Sequence, residues 1–71
     1  MLDKAALKSV MAYYGDNQES LAKALGRRPA AISAKINGKS DFTIPEVDII
    51  VKRYELTGEG LKRIFFASNV T

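Results

Sequence analysis

The chain contains neither cysteine nor histidine. Without thiols there is no disulfide, no thiolate ligand and no thiol nucleophile. Without imidazole the commonest general base and a leading transition-metal ligand are missing as well. The two absences argue together against catalysis and against a metal centre, and no cofactor or small-molecule ligand is expected. The carboxylates do not make up the loss. Asp16 and Glu19 belong to a helix start, Asp41 to a loop and Glu46 to a cap, whereas hydrolytic chemistry needs a pair held in a pocket. Long apolar runs are missing too, and none approaches the roughly 18 residues of a membrane span. The first residues, MLDKAALK, place lysines on either side of the apolar positions and lack a signal-peptide profile, so a cytoplasmic setting is expected. Tryptophan is absent and proline occurs only twice. A single domain of 71 residues must therefore stabilise itself by packing aliphatic helices.

The most informative stretch is NQESLAKALGRRPAAISAKING, residues 17 to 38. Leu21, Ala22 and Leu25 share one helical face and Ile32 and Ile36 another, with Gly26 between them where a left-handed residue reverses the chain. Ala22 is small enough for one helix to cross closely over the other. This is the signature of a helix-turn-helix, whose second helix is presented to a partner. Helices are expected over about 3–14, 18–25, 29–37, 44–54 and 58–66, with residues 67–71 a fraying tail. In the first, Leu7, Val10, Met11 and Tyr14 form the apolar face, and Asp3 favours the helix dipole. Asp16 or Asn17 caps the second, and Pro29 suits the first turn of the third. TIPE, residues 43 to 46, has capping-box spacing, and Thr57 caps the last helix. Phe42 is expected to plug the core. Val47, Ile50, Val51, Tyr54, Leu61, Ile64 and Phe65 are expected to complete it. The fold class is an all-α five-helix bundle.

Charge is unevenly spread. Between Ser20 and Ser40 lie Lys23, Arg27, Arg28, Lys35 and Lys39 with no acid among them, the footprint of a phosphate-binding surface. A randomly basic solvated face is the plainer explanation, and the coincidence with the helix-turn-helix weighs against it. Lys52, Arg53, Lys62 and Arg63 read as ordinary solvated residues. Of the neighbours Phe65 and Phe66 one must face outward, since adjacent helical positions lie about 100° apart. Tyr13 and Tyr14 divide in the same way, one packed and one at the surface.

SLAKALGRRPAAISAKINGKSDFTIPEV resembles the small Cro- and repressor-type helix-turn-helix regulators of temperate phages, with a lambda-repressor-like DNA-binding fold. The run KINGKSDFT and the late phenylalanine pair are closest to the subgroup from phages of Gram-positive bacteria. The resemblance implies operator DNA as partner in a bacterial host cell, often through a homodimer, and control of lysogeny. Some members of this size instead modulate repression by engaging the cognate repressor protein. Carried over by position, Gln18 would touch a phosphate. Arg28, Pro29, Ala30, Ser33 and Ala34 would face base edges, and Asn37 and Lys39 would reach the backbone beyond. Arg27 and Lys35 add charge to the same surface. The chain departs from the pattern where bases are read. The outward side of the third helix is Ala30, Ala31, Ala34 and Asn37, and alanine offers thymine methyl contact but no hydrogen-bond code. Arg28 alone suits a bidentate guanine contact. Three readings of this face stay open: phosphate and shape recognition of DNA, an apolar contact to a repressor's DNA-binding domain, or alanines that serve merely as helix formers.

Overall fold

The computed structural model describes residues 2–66, and the expected tail 67–71 lies outside the described residues. Five helices follow in order, α1 (Lys4–Tyr13), α2 (Gln18–Leu25), α3 (Pro29–Ile36), α4 (Ile44–Arg53) and α5 (Gly58–Phe65). Their ends lie within one residue of the spans expected from the sequence, because local capping sets them. Asp3 does more than favour the dipole: its carboxylate accepts from Ala6 N at 3.0 Å, which makes it the cap of α1. Asn17 caps α2 and exchanges hydrogen bonds with Ser20, so a serine fills the third position of a capping box. Thr43 and Glu46 form the second box, and Thr57 accepts from Gly60 N. Each such cap is worth about 1 kcal/mol. Only α3, among the described helices, starts without a side-chain cap; Arg28 precedes it and Pro29 occupies its first turn.

Leu7, Met11, Leu21, Ala22, Ile32, Ile36, Ile50, Tyr54 and Ile64 form the buried core, drawn from all five helices. α2 and α3 make the most extensive pairing in the bundle. Ala22 of α2 is 1% exposed, and a side chain with more atoms there would overpack the core. Gly26 turns the chain between them at φ +68°, and Arg27 N then donates to Ala22 O at 2.9 Å, closing the end of α2. Phe42 and Phe65 meet edge to face at 5.9 Å over one end of the core, with Phe66 outside it. Asp3 N donates to Ile64 O and ties the start of α1 to α5.

Tyr14 departs from expectation. It is 42% exposed, because it is the C-cap of α1 and the helical period no longer governs where its ring points. It leans on Tyr54, whose ring is the one buried. Tyr13 is the more exposed of the two neighbours. Val10, Val47, Val51, Leu61 and Phe65 are half-buried at the margins of the core.

Candidate functional site

The surface around α3 is organised by one carboxylate. Glu46, placed by the capping box at the start of α4, is 4% exposed. Its Oε1 accepts from Lys35 Nζ at 2.5 Å and from Thr43 N at 2.9 Å, and its Oε2 accepts from Arg27 Nε at 2.6 Å. Burial pushes this carboxyl up. The bonds from Lys35, Thr43 and Arg27 outweigh that and hold it at about 2. Lys35 is consequently an interior residue. Its ammonium is buried between Glu46 and the face of Phe42, 5.8 Å from the ring centroid.

This corrects the sequence reading in one respect: Lys35 does not belong to a solvent-facing basic patch. Its long apolar stem crosses the core margin on the side of Ile32 and Ile36, and an acid from a later helix receives the charge. Arg27 remains about half exposed but is paired to the same acid. Lys23, Arg28 and Lys39 are exposed and make no ion pair among the described residues. The basic block is thus smaller at the surface than along the chain.

The remaining expected positions fall around these cations. Arg28, Pro29 and Ala30 are exposed at the start of α3, where no side chain caps the helix, Pro29 has no N–H and Ala31 N donates to Arg28 O at 3.0 Å. Ala31, Ser33 and Ala34 are half-buried, so the outward strip of α3 is narrow and nearly smooth. Gln18, at the first turn of α2, is half-buried. Asn37 and Lys39 are exposed beyond the end of α3, where Gly38 takes φ +82° and Lys39 N donates to Ala34 O.

One residue near this surface was not anticipated. Lys4, at the start of α1, donates from Nζ to Asn37 Oδ1 at 2.9 Å, and Asn37 Nδ2 lies 3.4 Å from Ser33 Oγ. The bond brings a further cation without an ion pair to the end of α3. Lys4 and Asn37 are 33 positions apart, and no local pattern announces such a contact.

A second ionic knot lies away from α3. Asp16 accepts from Arg53 Nε at 2.6 Å and Nη2 at 2.9 Å, from Tyr54 hydroxyl at 2.6 Å and from Ser20 Oγ at 2.7 Å. The Arg53 bonds, against opposing burial, hold this carboxyl well below the usual range, with Tyr54 and Ser20 adding to the effect. Arg53 is therefore not a plain solvated residue. Because Asn17 caps α2, Asp16 is left to staple the α1–α2 turn to the end of α4. Among the described residues, no three acidic side chains gather where a metal ion could be held. No described helix is long and apolar enough to cross a membrane. The chain matches no protein-family model, no curated protein and no solved structure.

Proposed function

We propose that the domain is a transcriptional regulator of the phage-switch type, with α2 and α3 acting as a helix-turn-helix that presents α3 to operator DNA. The observation that carries this reading is the state of the α3 start. Arg28 is exposed, unpaired and next to an uncapped helix N-terminus, beside the small exposed side chain of Ala30. The Ala30 amide at this helix start favours phosphate, Pro29 having no N–H and Ala31 N donating to Arg28 O, and a narrow alanine strip lets backbone approach backbone. Lys4, Lys23 and Lys39 supply further cations, with Gln18 at the start of α2 as a polar contact. Sequence choice then rests on Arg28, on thymine methyl groups and on DNA shape. A cognate repressor bound alongside would sharpen it.

A second reading is favoured by Glu46. By answering both Arg27 and Lys35 it leaves the α3 face less basic than the run of lysine and arginine along the chain. The same alanine strip would then dock on the DNA-binding domain of the cognate repressor and keep it from its operator, as a modulator of repression.

Electrophoretic mobility shifts over a salt series, with and without that repressor, separate the two. With four unpaired cations near α2 and α3, the slope of log K against log salt is expected at about −3 to −4. Were Arg27 and Lys35 engaged as well, it would exceed about −5. Arg28→Ala is expected to cost about 1–3 kcal/mol and to relax one base position. No shift alone, with loss of the repressor's own shift in its presence, selects the second reading. No effect of either kind refutes both.

A further inference from the structure

We infer that the groove between α1 and α5 receives an acidic amphipathic helix of another protein. The groove lies on the side of α1 away from Lys4, whose ammonium bonds Asn37 at the end of α3. Ala6 and Tyr13, which line the groove, stand about half a turn round the helix from Lys4. The space is about 600 Å³ and open to solvent. Val10, Leu56 and Ile64 give it an apolar floor, Ala6 a low wall on α1, and Tyr13 and Arg63 a rim. Tyr13 meets Tyr14 edge on at 5.2 Å and is otherwise in solvent, 84% exposed. Gly60 of α5 also borders the groove. A Cβ there would meet nothing nearer than Leu56 Cδ2 at 3.5 Å, an ordinary contact, so alanine, the better helix former, would fit. Folding does not call for glycine at this position, whereas close approach of another backbone does.

Charge selects the occupant. Two charged residues line the groove, Asp3 and Arg63. Asp3 is already engaged as the cap of α1, where its carboxylate accepts from Ala6 N. Arg63 is exposed and makes no ion pair among the described residues, although Glu59 stands one turn earlier at the i,i+4 spacing of a helical partner. The free charge of the groove is thus one cation beside an apolar floor, which fits a carboxylate carried on an apolar segment. One cation is too little for a nucleic-acid strand, whose binding is built from several neutralised phosphates. A second copy of this chain across a two-fold axis would bring a second Arg63 and no free acid from the same lining. From Ala6 to Tyr13 the groove follows α1 for about 10 Å, close to two turns. A trough between two helices takes a third, which seats apolar anchors at i, i+3 or i+4 and i+7. Tyrosine and arginine, the two rim residues, are the side chains that most often dominate such contacts.

The inference does not depend on what α3 binds. Its probes are two synthetic alanine-based helical peptides of about 16 residues, with leucine at the anchor spacing. One carries glutamate at the flanking positions and the other lysine in place of every glutamate. Each is titrated into the isotope-labelled full chain and followed by two-dimensional amide NMR. The glutamate peptide is expected to shift the amides of Val10, Tyr13, Leu56 and Arg63, with a Kd of about 10–100 µM for so small a contact. The lysine peptide is expected to bind about tenfold more weakly or not at all. Arg63→Glu, at an exposed position, is expected to reverse that preference, which a merely structural role for Arg63 would not do. Tyr13→Ala is expected to weaken the glutamate peptide about tenfold with far-UV circular dichroism unchanged. The inference is overturned if neither peptide moves these amides, if both bind alike, or if Arg63→Glu leaves the preference as it was. It is equally overturned if the same amides shift with protein concentration alone, the mark of a second copy. A single-stranded oligonucleotide or anionic lipid vesicles that shift them in preference to the glutamate peptide also overturn it.

Discussion

Replacing Glu46 by glutamine tests the central electrostatic claim. The carboxylate is 4% exposed and carries the bonds of Lys35, Arg27 and Thr43. Its pKa falls from an ordinary 4.5 to about 2 on folding. Linkage then assigns the ionised form about 3 kcal/mol of stability at neutral pH. An independent route gives the same size. Glutamine keeps the shape and one acceptor for Thr43 N but strands the buried Lys35 ammonium, and breaking a buried pair from one side costs about 3–5 kcal/mol. A domain of this length has roughly 4–10 kcal/mol in total. Glu46→Gln should therefore bring the protein close to unfolding at 25 °C. Urea unfolding followed by far-UV circular dichroism at pH 7 is the assay. With a slope near 1 kcal/mol per M for so small a protein, the midpoint should fall by roughly 3 M. Lys35→Met in the same chain removes the stranded charge and leaves a side chain of similar length. The double variant K35M/E46Q should recover to within about 1.5 kcal/mol of the parent. Arg27→Ala, removing a half-exposed partner, should cost no more than about 1 kcal/mol. The reasoning is refuted if Glu46→Gln costs under about 1 kcal/mol, or if adding Lys35→Met makes it worse.

Two further outcomes follow from the same ionic contacts. Asp16 and Glu46 both have folded-state pKa values below their unfolded ones, so their contribution is complete above about pH 4.5 and is lost as pH falls toward 2. With no histidine to titrate, melting temperature should vary little between pH 5 and 8 and then drop steeply below about 4.5, less so in Glu46→Gln. A melt unchanged down to pH 2.5 would contradict this. Tyr54→Phe removes the 2.6 Å bond to the Asp16 carboxylate while leaving Arg53 and Ser20 in place. It should cost about 1.5–3 kcal/mol in the same urea assay, with unchanged stability as the refuting result.

What the sequence determined by itself was the local architecture. Caps act over three residues, helical faces over three or four, and a left-handed glycine over one. Asn17, Gly26, Thr43, Ile32 and Ile36 therefore announced α2, its turn, α3 and the start of α4 without tertiary information. The outward placement of Phe66 followed from the same short-range geometry. Tyr14 marks the limit of that method, since the period that predicted its burial ends one residue before it.

Tertiary structure alone decided which charges are free. Along the chain Arg27, Arg28, Lys35 and Lys39 look alike. In space Glu46 reaches back 11 and 19 positions to bury one and pair another, while Arg28 and Lys39 stay unpaired. Lys4 joins the end of α3 from 33 positions away, and Asp16 clamps Arg53 from 37. Attraction between charges depends on their separation in space and on the water between them, and a linear pattern records neither. The helices were legible because their causes lie within a turn; the pattern of free and paired charges was not, because it exists only once the bundle has closed.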